Sequence, residues 1–149
     1  MGNIKVISWD VYGTLIATHY DKSTDCGDIP LKLRPSALEI LTEIKSRQII
    51  QCTCSDGHLE NLKNNLREAG INWTDFFDDL YKMEPFQQKD FSYIIENYNI
   101  RPENLLVVGD NYDIDISLAK RQGCKTLHVP EKEEFKKNPL DTSKILELL

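Results

Sequence analysis

Apolar residues recur along this chain in two rhythms: short, nearly uncharged runs rich in β-branched side chains, and longer stretches where they return every three or four positions. Runs of the first kind predict buried strands at Val6–Trp9, Ile49–Cys54, Leu80–Met83, Leu105–Val108 and Thr126–Val129. The second rhythm predicts a helix from Pro35 through Leu38, Leu41, Ile44 and Lys45, with proline suited to its first turn. Another carries Leu59, Leu62, Leu66 and Ala69 and stops at Gly70. A third uses Phe91, Ile94, Ile95 and Tyr98, with Asn99 ending it in a left-handed turn. Asp113 or Asp115 opens a fourth, which carries Ile116, Leu118 and Ala119 and closes at Gly123; a short last helix covers Ile145–Leu149. Between these, Trp73–Asp79 reads as a connector packing Trp73, Phe76 and Phe77 beneath the sheet. The polar stretch Ala17–Pro30 has neither rhythm and reads as a surface loop or short hairpin.

Strands that alternate with helices over the whole length imply a doubly wound, Rossmann-like α/β sandwich with a five-stranded, mainly parallel sheet. At 149 residues and 40% hydrophobic content, the chain suits one domain with one core and no large additional unit. Parallel strands bring their carboxyl ends to one edge, the edge where ligands bind in such sheets. Three of them end on small polar or acidic residues: Asp10, Ser55 and Asp110. Residues far apart in sequence thereby converge.

Charge narrows the chemistry. A net charge of −6 argues against a general nucleic-acid surface and favours a divalent cation. No apolar run reaches membrane-spanning length and the N-terminus lacks signal-peptide regions, so a cytoplasmic protein without membrane partners is expected. Cys26, Cys52, Cys54 and Cys124 lack zinc-knuckle spacing; Cys52 and Cys54 alternate along one strand, as packing thiols do.

The first strand leads into Asp10-Val11-Tyr12-Gly13-Thr14-Leu15, which resembles the first motif of the haloacid dehalogenase-like (HAD) hydrolase superfamily. Cys54-Ser55-Asp56-Gly57 resembles the second motif, and Val107–Asp115, with Gly109-Asp110 at its centre, the fourth; the likeness runs from about residue 4 to 130. This resemblance implies that Asp10 is a nucleophile forming an aspartyl-phosphate, and that Mg2+ is held by Asp10, the Tyr12 carbonyl, Asp110 and Asp115. Ser55, with the backbone of Asp56 and Gly57, would hold phosphoryl oxygens. The implied function is a magnesium-dependent phosphatase acting on a phosphorylated small molecule or macromolecule.

Two positions depart from the pattern. Tyr12 stands where most HAD phosphatases have a general-acid aspartate, and a phenol titrating near pH 10 is a poor proton donor at neutrality. The third-motif lysine is displaced; Lys89, in the first turn of its helix, or Lys82 must take its place. A catalytically weak binding or regulatory protein is therefore the second reading. A haloacid dehalogenase, which shares the tyrosine, is the third. Segment 16–34 is too short for a cap domain and leaves a flap at most, like the capless members, so the open site suits macromolecules or cover by another copy in a homo-oligomer. His19 and His58 near that edge are candidate substitute acids or phosphate ligands.

Overall fold

The computed structural model describes residues 3–17, 32–56, 58–83, 87–129 and 140–149, with the side chains of 17, 32 and 56 left aside. The first expected strand is β1, Val6–Trp9, whose four residues are all buried. Two short strands follow, β2 (Ile16–Ala17) and β3 (Lys32–Leu33), paired antiparallel across the ends of the polar stretch. The stretch itself, and with it most of the expected flap, His19 and Cys26, lies outside the described residues. Then come α1 (Ala37–Ser46), β4 (Ile50–Asp56), α2 (Leu59–Glu68), β5 (Asp79–Met83) and α3 (Ser92–Asn97). The chain closes with β6 (Leu105–Gly109), α4 (Ser117–Arg121), β7 (Lys125–His128) and α5 (Thr142–Leu148).

Five of the strands form one sheet in the order β5-β4-β1-β6-β7, and every pairing in it is parallel. Alternation along each strand sorts the core into two layers. Ile7, Trp9, Leu106 and Val108 face Ile40, Leu41 and Ile44 of α1, Leu62 and Leu66 of α2, and Ile145 of α5. Val6, Cys52, Cys54, Leu105 and Val107 face Phe91, Ile94 of α3 and Ala119 of α4. Both faces are covered, which explains the continuous apolar runs. Gln51, a polar side chain deep in the first layer, accepts from Trp9 Nε1 at 3.0 Å and donates to the Leu41 carbonyl at 3.0 Å, so its burial leaves no amide group stranded.

The connector behaves as expected: Phe77 is buried in the first layer, with Trp73 and Phe76 packed against it. Asn99 adopts φ 51 after α3, and Gly70 (φ 97) ends α2. Cys52, Cys54 and Cys124 are buried free thiols, as packing cysteines should be.

α1 begins at Ala37 rather than Pro35 and α5 at Thr142 rather than Ile145; two further differences in helix starts bear on the site. Neither Asp113 nor Asp115 opens the fourth helical segment; Asn111 does, its Oδ1 accepting from the Ile114 N–H at 3.1 Å. A π-type turn over Tyr112–Ile116 then leads into α4. An amide oxygen at the cap competes well for that first free N–H, and it releases Asp115 to turn inward. Lys89 also stands ahead of α3, because Asp90 Oδ1 accepts from the Ser92 N–H at 2.9 Å and starts the helix there.

Candidate active site

Asp10 follows β1 directly, and its N–H extends the ladder to the Val108 carbonyl at 2.9 Å. Its carboxylate is therefore fixed to the middle of the sheet, 8% exposed. Asp110 follows β6, the neighbouring strand, and Asp115 rises from the π-type turn behind it, 2% exposed. One carboxylate oxygen from each of the three lies within 4.8 Å of the others. The Asn111 N–H holds Asp115 Oδ2 at 3.1 Å, and the Thr14 hydroxyl donates to Asp10 Oδ2 at 3.0 Å.

Glycines bring the parts this close. A β-carbon on Gly13 would fall 2.2 Å from Asp110 Oδ2, and Gly13 also sits at φ 84, where L side chains are strained. A β-carbon on Gly109 would come 2.5 Å from the Asp115 side chain.

Lys89 crosses from the other layer of the core to meet the acids. Its ammonium is 2.9 Å from Asp10 Oδ1 and 2.6 Å from Asp115 Oδ1, and it donates to the Cys54 carbonyl at 2.8 Å. Backbone pairing of the Lys89 N–H with the Ile114 carbonyl at 3.0 Å anchors its segment to the π-type turn. Of the two candidate lysines, Lys82 is the one that does not reach: it is exposed on the edge strand β5, in register with Ser55. The helical count back along Phe91 and Ile94 puts Gln87 or Pro85 at the usual place of this lysine, with Lys89 and Lys82 on either side, and nothing in the spacing showed that the Lys89 segment would reach the Cys54 carbonyl on β4.

Electrostatics follow burial. Withdrawal from water pushes the Asp10 carboxyl up to about 7, partly opposed by the Lys89 charge and reinforced by Asp110. Asp115 is raised for the same first reason, with Asp10 adding to it. The carboxylates around Lys89 outweigh its burial and drive its pKa upward, so it stays charged.

Ser55 is buried at the carboxyl end of β4, on the edge that carries the acids. The side chain of Asp56, and Gly57 entirely, fall outside the described residues. His58 is exposed at the start of α2. Tyr12 is half-buried, and its hydroxyl accepts a 2.5 Å hydrogen bond from Asn65 Nδ2 on α2. No spacing rule would have paired Tyr12 with Asn65.

Arg34 is the other residue that the sequence did not single out. Only 1% exposed, it donates from Nη2 to the Gly13 carbonyl at 2.6 Å and from Nε to the Thr14 carbonyl at 2.7 Å. Its charge faces Asp110, which opposes the downward pull of burial on the guanidinium. A lone arginine before Pro35 carried no sequence signal for this.

The donor set fits a hard divalent cation. Ligand oxygens around magnesium, each about 2.1 Å from the ion, lie about 3 to 4 Å from one another, close to the spread of these three carboxylates. Their crowding is costly without a cation, as the raised Asp10 and Asp115 indicate.

A parallel sheet carrying an acidic centre at its carboxyl edge, with a buried lysine beside it, defines a hydrolase-type Rossmann-like fold. The chain matches the profile of the haloacid dehalogenase-like hydrolases over residues 24–123, and it belongs to that family. The matched stretch takes in Ser55, Lys89, Asp110 and Asp115 and begins downstream of Asp10, which joins them through the fold. Comparison with curated proteins finds no match. Among solved structures, the chain is similar to a predicted phosphoglycolate phosphatase from Haemophilus somnus 129pt, at 14% identity and TM-score 0.74, covering 99% of each chain. It is similar also to a HAD-superfamily hydrolase from Ehrlichia chaffeensis, at 18% identity and TM-score 0.72, covering 99% of this chain and 98% of that one. A haloacid dehalogenase-like family hydrolase from Xanthomonas campestris matches at 10% identity and TM-score 0.74, covering 98% of this chain and 92% of that one. At these identities the likeness is one of fold. Among the described residues, no helix is long and apolar enough to cross a membrane.

Proposed function

We propose that this protein is a magnesium-dependent phosphohydrolase that works through an aspartyl-phosphate on Asp10. The observation that carries this reading is the meeting of Asp10, Asp110 and Asp115 within 4.8 Å beside the ammonium of Lys89. Asp10, Asp110, Asp115 and the Tyr12 carbonyl would hold Mg2+, which neutralises charge on the phosphoryl oxygens. An Asp10 oxygen attacks phosphorus, the ester P–O bond breaks, and the departing oxygen keeps the electron pair and takes a proton from water. A second water then attacks the acyl phosphate, releasing inorganic phosphate and restoring the carboxylate. Lys89 holds Asp10 in line and offsets the phosphate charge, while Ser55 donates to a phosphoryl oxygen. Likeness in fold to the predicted phosphoglycolate phosphatase from Haemophilus supports a phosphate ester as substrate.

Phosphate release from p-nitrophenyl phosphate tests this. Turnover should appear with added magnesium and vanish with a chelator; no release at any magnesium concentration would overturn the assignment.

Tyr12 favours slow turnover. Its hydroxyl is held at Asn65 on α2, and the position supplies no carboxylic acid to the leaving group. Tyr12→Asp is expected to raise kcat for an alkyl phosphate by about 10²-fold and to leave p-nitrophenyl phosphate, a good leaving group, nearly unchanged. Steady-state kinetics on the two substrates checks it, and equal effects on both would remove the explanation. Gly13→Ala is expected to weaken magnesium binding at least about tenfold, because the new methyl must displace Asp110. Calorimetric titration of the metal reads this directly.

A further inference from the structure

Three successive carbonyls in the turn after Asp10 accept hydrogen bonds from a single residue. Arg34 Nη2 donates to Gly13, Nε to Thr14, and the backbone N–H to Leu15, at 2.6, 2.7 and 2.7 Å. That turn is the part of the molecule where small displacements matter most. Gly13 lies directly against the Asp110 carboxylate, and Thr14 carries the hydroxyl that touches Asp10.

Stability alone does not account for an arginine here. A buried guanidinium is costly, and an apolar side chain of similar volume usually serves packing as well or better. Backbone carbonyls satisfy its donors without balancing its charge. The balance comes from the acids: three carboxylates against Lys89 and Arg34 leave one net negative charge. A divalent cation would turn that to one positive charge, ready for an anionic substrate.

We infer that Arg34 is a positioning residue for the acidic centre, clamping turn 13–15 so that Asp110 and Asp10 present their oxygens to one cation. The inference rests on the metal reading proposed above and extends it to a residue outside the ligand set. Positioning and bare charge predict opposite signs. Removing a positive charge near three carboxylates, by itself, tightens cation binding. Loosening the turn that aligns them weakens it, by about 10–100-fold for supports of metal ligands. A merely structural arginine would lower Tm and leave the affinity alone.

The test is calorimetric titration of the full chain with magnesium alone, well below the melting temperature, for wild type, Arg34→Met and Arg34→Lys. Arg34→Met should bind magnesium at least about tenfold more weakly, and Arg34→Lys, which keeps the charge without the fork of donors, should fall between. Unchanged or tighter binding by Arg34→Met overturns the inference while the metal reading stands. If Arg34→Met does not fold, Arg34→Lys decides: binding weaker by about threefold or more supports the clamp, and wild-type affinity overturns it. A wild type that binds no magnesium overturns the metal reading and this inference with it.

Discussion

Asp10→Asn is expected to abolish magnesium-dependent phosphate release and, in the same protein, to make the cation-free form more stable at pH 8. Loss of a covalent nucleophile costs about 10⁴-fold or more in kcat. The gain in stability comes from burial, which lifts the Asp10 carboxyl from 3.8 to about 7. Between those two values the folded chain keeps a proton that the unfolded chain releases. Stability therefore falls as pH rises through that window, is fully present below about pH 4, and is lost above about pH 7. A shift of roughly three units corresponds to about 4 kcal/mol, and an amide in place of the carboxyl escapes most of it. In a chain of this size that is a rise in Tm of about 5 °C or more at pH 8, shrinking toward zero near pH 4. Thermal unfolding of both proteins in chelator across this range checks the sign. A variant less stable than wild type at pH 8 would contradict the account of the site as a reservoir of repulsion relieved by a cation.

Lys89→Met is expected to be the most damaging single change to the cation-free protein. The lysine is the shared partner of two buried carboxylates, and removing one member of a buried pair costs about 3–5 kcal/mol. The loss should depend on pH. At pH 5 Asp10 already holds a proton and the penalty is smaller; at pH 8 the acids face each other without the ammonium between them. Urea unfolding at both values reads the difference, and equal losses would mean that the lysine acts through packing alone. Adding Asp10→Asn to Lys89→Met should restore part of the stability at pH 8, since the two changes act on one charge pair and do not add. Phosphate release should be absent from both.

Much of this arrangement was legible in the residues because it depends on regular geometry. Runs such as Val6–Trp9 and Leu105–Val108 declare buried strands, and once strands are parallel their ends share an edge. The meeting of Asp10 with Asp110 follows from that alone. What escaped depends on long contacts between irregular segments. Asn111 rather than an aspartate caps the turn that carries Asp115, a choice between neighbouring polar groups that periodicity does not make. Lys89 was named as a candidate, but its reach to Asp10 across 79 residues of sequence runs through a segment with no period, so spacing did not separate it from Lys82. Arg34 and Asn65 find their partners in a turn whose path is set by Gly13, and neither partner sits at a spacing that names it.

The place of β1 in the sheet has one more result. It is bonded to β4 on one side and β6 on the other, so the amides of Ile7–Trp9 can meet solvent only when the whole domain comes apart. The Asp10 carboxylate is thus tied to a strand whose amides are expected to exchange last among the described residues, and hydrogen exchange at Ile7–Trp9 would report global opening alone.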